Sequence, residues 1–124
     1  MKEALRYLEN AKEILKSVPI EDSIYADIKP VQEACGIAYL AILKAIDAYL
    51  LRKGLDEREL PQSVEGYRNM IRKYLMIHNG KLIKEFDSLY KLLHIAGYYR
   101  GLLGGVAVVK DALKAARNFI EKIR

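Results

Sequence analysis

Residues 34–51 read ACGIAYLAILKAIDAYLL, a stretch in which Lys44 and Asp47 are the only charges. A helix that is apolar nearly all round has no face to give to water, so other elements must surround it. That one segment demands a multi-helix core with itself at the centre. It does not read as a membrane span, because its longest uncharged run, 34–43, is about half of the ~20 residues a bilayer requires. The rest of the chain supplies the partners. Residues 2–18 place Ala4, Leu8, Ala11, Leu15 and Val18 at 4-3-4-3 spacing, with Leu5 and Ile14 widening the stripe and charges opposite, the pattern of an amphipathic helix. Pro19 stops it, having no N–H to donate and disfavouring helical geometry in Val18.

Asp22 or Ser23 is expected to cap the central helix, whose body covers about 30–51. Lys29-Pro30 leaves two starts open, one with Pro30 as first helical residue and one near Ile24 with a bend at the proline. Lys53-Gly54 suits a left-handed cap, and 55–62 reads as a charged loop. Pro61 or Ser63 opens a third helix with Val64, Tyr67, Ile71, Tyr74 and His78 at heptad-like spacing. Asn79-Gly80 is short enough for a tight helical hairpin into a fourth helix over about 81–99. Gly97, Gly101 and Gly105 repeat every four residues and could form a close-packing helix face; a break over 100–105 is the favoured reading. A final helix over about 106–123 carries Val109, Leu113, Ala116 and Ile120 inside and Lys110, Lys114, Arg117 and Lys122 outside.

Only 8 Gly and 3 Pro occur in 124 residues, too few for the frequent turns of a sandwich or barrel. Hydrophobic residues make up 52% and charged residues 30%, enough apolar surface for one packed domain spanning 1–124. The expected fold is all-α, an antiparallel up-and-down bundle of four long helices and one shorter helix. The lone Cys35 lies in the apolar run and is expected to be buried and inert. Together with an N-terminal stretch lacking an apolar secretory core, it fits a reducing, cytoplasmic setting without membrane attachment.

Charge is unevenly placed. The formal net charge is +5, yet residues 1–67 hold 9 basic and 12 acidic side chains (−3), against 12 and 4 over 68–124 (+8). Arg68 and Arg72 stand four apart on the third helix, and Lys81, Lys84 and Lys91 follow across the hairpin. Such a patch could attract phosphate or RNA, with a strength that falls as salt rises. Charge runs also simply solvate helix faces, and the acidic half of one copy could meet the basic half of another. Tyr90, His94 and Tyr98 recur every four residues along one helical stripe, with Tyr99 and Arg100 beyond. An aromatic row of this kind stacks on a base, lines a subunit interface or fills the edge of a core.

No catalytic signature stands out. The histidines, His78 and His94, are preceded three residues earlier by Leu75 and Lys91 rather than by the glutamate of a bundle metal site, so no metal is expected. P-loop, dinucleotide and nucleophile-elbow motifs are absent, and no cofactor is expected. Cys35 lacks a basic activator nearby, and the acids Asp56, Glu57 and Glu59 belong to the charged loop.

ALRYLENAKEIL followed by ACGIAYLAILKAIDAYLLRKG resembles the first two helices of the HEPN superfamily, small prokaryotic helical domains, over about the first 55 residues. HIAGYYRGLLGG is similar to small bacterial domains allied to that group. The resemblance implies a helical bundle, frequent homodimers and roles in toxin–antitoxin or other RNA-linked systems. Active HEPN ribonucleases carry Arg, four to six residues, then His; Arg72 and His78, with five between, meet that spacing, while the polar residue that commonly follows the arginine is here Lys73. Six helical steps turn through about 600°, which leaves the two side chains roughly 120° apart. A shared site therefore needs a helix break or a partner subunit.

These readings lead to a homodimeric HEPN-like interaction module contacting nucleotide, RNA or an acidic partner protein. The candidate binding residues are Arg68, Arg72, Lys81, Lys84, Lys91, Tyr90, His94, Tyr98 and Arg100. Two alternatives stand beside it. One is a metal-independent ribonuclease in which His78 is the acid/base and Arg72 stabilises phosphate charge. The other is a purely structural assembly subunit.

Overall fold

The apolar segment lies where its composition demands. In the computed structural model, which describes residues 1–76 and 80–124, it forms most of α2 (Ile28–Arg52), with Ala34, Cys35, Ala38, Ala41, Ile42, Ala45, Ile46 and Leu50 fully buried. Around it pack α1 (Lys2–Lys16), α5 (Val106–Ile123) and a helical rod made of α4 (Lys81–Leu89) running directly into a π-helical segment (Tyr90–Tyr99). The shorter α3 (Val64–Tyr74) leans on α2 and α4. The fold is thus an all-α up-and-down bundle, four long helical rods and one shorter helix among the described residues. By length and composition α2 could cross a membrane, but here more than half of its most apolar 18-residue stretch is buried.

The start of α2 differs from the sequence expectation. Asp27 is the cap, its carboxylate accepting from the Lys29 N–H at 3.2 Å. Pro30 then occupies the third helical position, where a missing N–H leaves no helical bond unmade. Asp22 and Ser23 serve instead as the two-residue turn of a small hairpin, β1 (Ile20–Glu21) with β2 (Ile24–Tyr25). Both have positive φ, 51° and 64°, as a type I′ turn requires. The hairpin is fastened to the loop before α5: the Tyr25 N–H donates to the Gly104 carbonyl at 2.9 Å and the Val106 N–H to that of Ser23 at 3.0 Å.

Three other ends follow the pattern expected of them, whereas α3 stops at Tyr74, with Leu75 as its cap, short of the expected close at Asn79-Gly80, of which residue 79 lies outside the described residues. Gly54, at φ 103°, lets the Gly54 and Leu55 N–H groups reach back to the Leu51 and Leu50 carbonyls, a paired cap that closes α2. The Ser63 hydroxyl caps α3 by accepting from the Gly66 N–H at 3.0 Å. The rod ends at Tyr99, with the Arg100 N–H donating to the Ile95 carbonyl at 2.9 Å, and 100–105 is non-helical. One contiguous apolar core results, with Phe86, Phe119, Leu8, Ile46, Leu82, Leu93 and Ile120 among its fully buried members.

Candidate functional site

Two glycines decide how closely α2 and the π-helical segment approach. A Cβ on Gly97 would stand 2.7 Å from the Cys35 sulfur and 2.8 Å from its Cβ. One on Gly36 would stand 2.6 Å from the Tyr98 ring. With both side chains absent the helices meet almost backbone to backbone, and the larger residues beside them form a seam.

That seam is aromatic. The Tyr90, His94 and Tyr98 rings follow one another along the π-helical segment at 5.5 and 5.8 Å between centroids, each pair within 27° of parallel. From α2, Tyr39 wedges against His94 at 4.9 Å and against Tyr90 at 5.8 Å. Tyr39 is buried, and burial pushes its hydroxyl pKa up to about 12, so it stays a neutral phenol. Beyond Tyr39 the seam opens into a groove of about 410 Å³ lined by Glu33, Ile37, Leu40, Leu43, His94 and Tyr98. Leu40 and Tyr98 are nearly half exposed and Tyr99 is 73% exposed, an apolar strip facing solvent.

Polar groups close the other end. The Tyr67 hydroxyl donates to Asp47 Oδ1 at 3.0 Å. Partial burial raises the Asp47 pKa above the ordinary aspartate value, against the smaller opposing effects of that bond and of Lys44. Burial and then the Asp47 carboxylate push the Tyr67 pKa far up, so Tyr67 acts as a donor and not as a base. Arg68 Nε donates to Asp87 Oδ1 at 2.6 Å and Nη1 to Glu65 Oε2 at 3.1 Å, with the guanidinium 5.4 Å from the Tyr90 ring centre.

The structure therefore gathers Arg68, Tyr90, His94 and Tyr98 from the predicted set and scatters the rest. Arg72 bonds to Asn69 at 3.2 Å and lies 3.6 Å from Glu65, so both α3 arginines already face carboxylates. Lys84 lines a separate groove with Leu92, Asn118 and Lys122, while Lys81, Lys91 and Arg100 are exposed. His78 lies outside the described residues, so the structure does not address its convergence with Arg72. Among the described residues no group of three or more His, Cys, Asp or Glu side chains could hold a metal ion. Tyr39, Asp47 and Tyr67 were missed. Asp47 carried the one available signal, an acid in an otherwise apolar helix needing a donor from elsewhere.

A family model described as a domain of unknown function, DUF5618, matches residues 1–124. The chain belongs to the DUF5618 family. A solved structure of a protein of unknown function from Dyadobacter fermentans is similar in sequence and shape, 32% identical with a TM-score of 0.80, over 98% of this chain and 90% of that one. No curated protein matches. The family match covers every element of the seam, from Glu33 on α2 to Tyr99.

Proposed function

We propose that this protein is an interaction module that pairs with a second copy of itself along the exposed face of α2. The observation that carries this is the pattern on that face: Glu33, Ile37, Leu40, Lys44, Ala48 and Leu51, spaced like one seam of a coiled coil, all at least partly exposed. A two-fold axis at the level between Ala38 and Tyr39 sets Ile37 opposite Leu40 of the second copy and Glu33 opposite its Lys44. The face thus pairs apolar with apolar and acid with base about that axis, as a two-fold interface must. The Tyr98 and Tyr99 rings alongside widen the apolar area that pairing would cover.

Mass measurement across a concentration series tests this. The expected parent mass is twice 14.2 kDa, and Leu40→Glu reduces it to one chain. Lys44→Glu weakens pairing by setting like charges opposite, and adding Glu33→Lys restores it. A single-chain mass for the parent at every concentration refutes the proposal.

A specific observation also favours contact with nucleotide, RNA or an acidic protein. Lys81, Lys84, Lys91 and Arg100 are exposed and make no ion pair among the described residues. The HEPN-like relationship remains part of this proposal, supported by the helical bundle. Labelled single-stranded RNA titrated at several salt concentrations distinguishes the readings. Salt-sensitive binding without cleavage supports the basic module, cleavage lost in both Arg72→Ala and His78→Ala supports the ribonuclease, and no binding at low salt removes both.

A further inference from the structure

On another side of the bundle, α1 and α5 lean on α2 side by side, and the β-hairpin sits beside the cleft between them. There lies a cavity of about 480 Å³, of the size small-molecule sites have. Its floor is apolar: Leu15 and Val18 from the α1 end, Ile20 and Tyr25 from the hairpin, Leu113 from α5. Its remaining lining is five cations, Lys12 and Lys16 at i, i+4 on α1, and Lys110, Lys114 and Arg117 at i, i+4, i+7 on α5. Helical spacing turns each set toward the shared cleft.

The composition of this lining selects its ligand. It holds no carboxylate, amide or aliphatic hydroxyl, so a sugar, an amine or a base edge that donates hydrogen bonds finds no side-chain acceptor there except the Tyr25 hydroxyl. Cations offer donors only. Partners for them are few: Lys16 bonds Glu13 at 2.7 Å and Arg117 approaches Glu121 at 3.9 Å, while Lys12, Lys110 and Lys114 form no ion pair among the described residues. Five like charges around an apolar hollow repel one another unless an anion is present. At the mouth, Ile20 is 53% exposed, and it shares one face of the hairpin with Tyr25, its cross-strand partner.

We infer that this cavity binds an amphiphile by its anionic head and one alkyl chain, the chain lying on Leu15, Val18, Ile20 and Leu113 and the head held by Lys110, Lys114 and Arg117. Such a ligand reaches the site either free in solution or as a lipid of an anionic bilayer. The inference is independent of pairing through α2, since the cavity and the α2 strip share no residue.

The test uses the whole chain and dodecanoate, below the concentration at which it forms micelles, followed by calorimetry and by amide shifts. Saturable binding is expected, weakening about fourfold for each methylene removed in going to decanoate and octanoate. Lys110→Gln with Lys114→Gln, both exposed positions, weakens binding at least tenfold without changing the unfolding midpoint beyond error. Dodecyltrimethylammonium, with the same chain and the opposite charge, does not compete. Vesicles of phosphatidylglycerol and of phosphatidylcholine separate the two sources: capture by the anionic vesicles, lost in the same variant, places the ligand in a bilayer, and dodecanoate binding without capture places it in solution. Equal binding of the cationic amphiphile, or binding unchanged in the double variant, overturns the inference. So does failure to bind both dodecanoate and anionic vesicles.

Discussion

Gly97→Ala tests the seam by the sign of its effect. In an ordinary helical position alanine is favoured over glycine by about 1 kcal/mol. At Gly97 the new methyl would sit 2.7 Å from the Cys35 sulfur and 2.8 Å from the Cys35 Cβ, and 3.2 Å from the Leu92 carbonyl oxygen on its other side. Carbon contacts are comfortable at about 3.5–4.0 Å, so the shortfall is close to 1 Å. No rotation of the Cys35 side chain relieves it, because the Cβ is fixed to the buried α2 backbone. The two helices must part, loosening the Tyr39–His94 contact that depends on their approach. Overpacking costs about 1–3 kcal/mol, and a shortfall near 1 Å against a fixed Cβ belongs in the upper part of that range, about 2–3, so after the propensity gain the variant should be less stable by about 1–2 kcal/mol. Urea unfolding followed by far-UV circular dichroism reads this directly, and Tm should fall by roughly 4–8 °C. In a Cys35→Gly background only the milder 3.2 Å contact with the Leu92 carbonyl oxygen is left, and the cost of Gly97→Ala should shrink toward zero. A single Gly97→Ala variant as stable as the parent refutes the close-approach argument.

Asp47 carries a pH prediction whose sign follows from its raised pKa. Burial lifts the folded value above the unfolded one, so its contribution is complete below the unfolded pKa of about 4 and is lost as pH rises through the folded value. Asp47→Asn should match the parent near pH 3 and exceed it in unfolding free energy at pH 7, where the Tyr67 hydroxyl can still donate to the amide oxygen; a variant weaker than the parent at pH 7 contradicts this. Cys35, fully buried with its pKa pushed up to about 11, should resist iodoacetamide at pH 8 in the folded chain and react within minutes in 6 M guanidinium. Arg68→Ala removes charge-assisted bonds to Asp87 and Glu65 together with the contact to Tyr90, and should lower the urea midpoint of unfolding without changing its slope; an unchanged midpoint contradicts this.

The parts of this fold legible in sequence are those in which a side chain's neighbours along one helix settle its environment. The burial of α2 followed from eighteen positions with two charges, and the α1 stripe of Ala4, Leu8, Ala11 and Leu15 is the buried face observed. The Tyr90, His94, Tyr98 row followed from helical spacing and stacks as a row. The cap of α2 was misplaced because Asp22, Ser23 and Asp27 are chemically equivalent as caps, and hydrogen bonds from a loop some eighty residues away commit the first two to a hairpin. The π-helical stretch left no trace in composition, since two turns of i→i+5 bonding leave no separate hydrophobic period. Tyr39 was hidden within the apolar run, where nothing distinguishes a wedge between helices from ordinary core.

Charge shows most clearly how a linear tally misleads about a surface. The second half of the chain carries +8 and the first −3, which points to the second half as the cationic face. Folding redistributes that excess. Arg68 and Arg72 of α3 turn toward Glu65 and Asp87, and Lys122 of α5 bonds Glu85, so these three cations meet carboxylates from both halves. The five cations that line one cavity come from opposite ends of the chain: two from α1, within the acidic half, and three from α5. A helix whose length carries four basic and three acidic residues, as α1 does, still presents two lysines to one cleft, because Lys12 and Lys16 are four apart. Local density of charge is therefore set by which helices lie side by side, and α1 meets α5 only because both must cover the same apolar helix, α2.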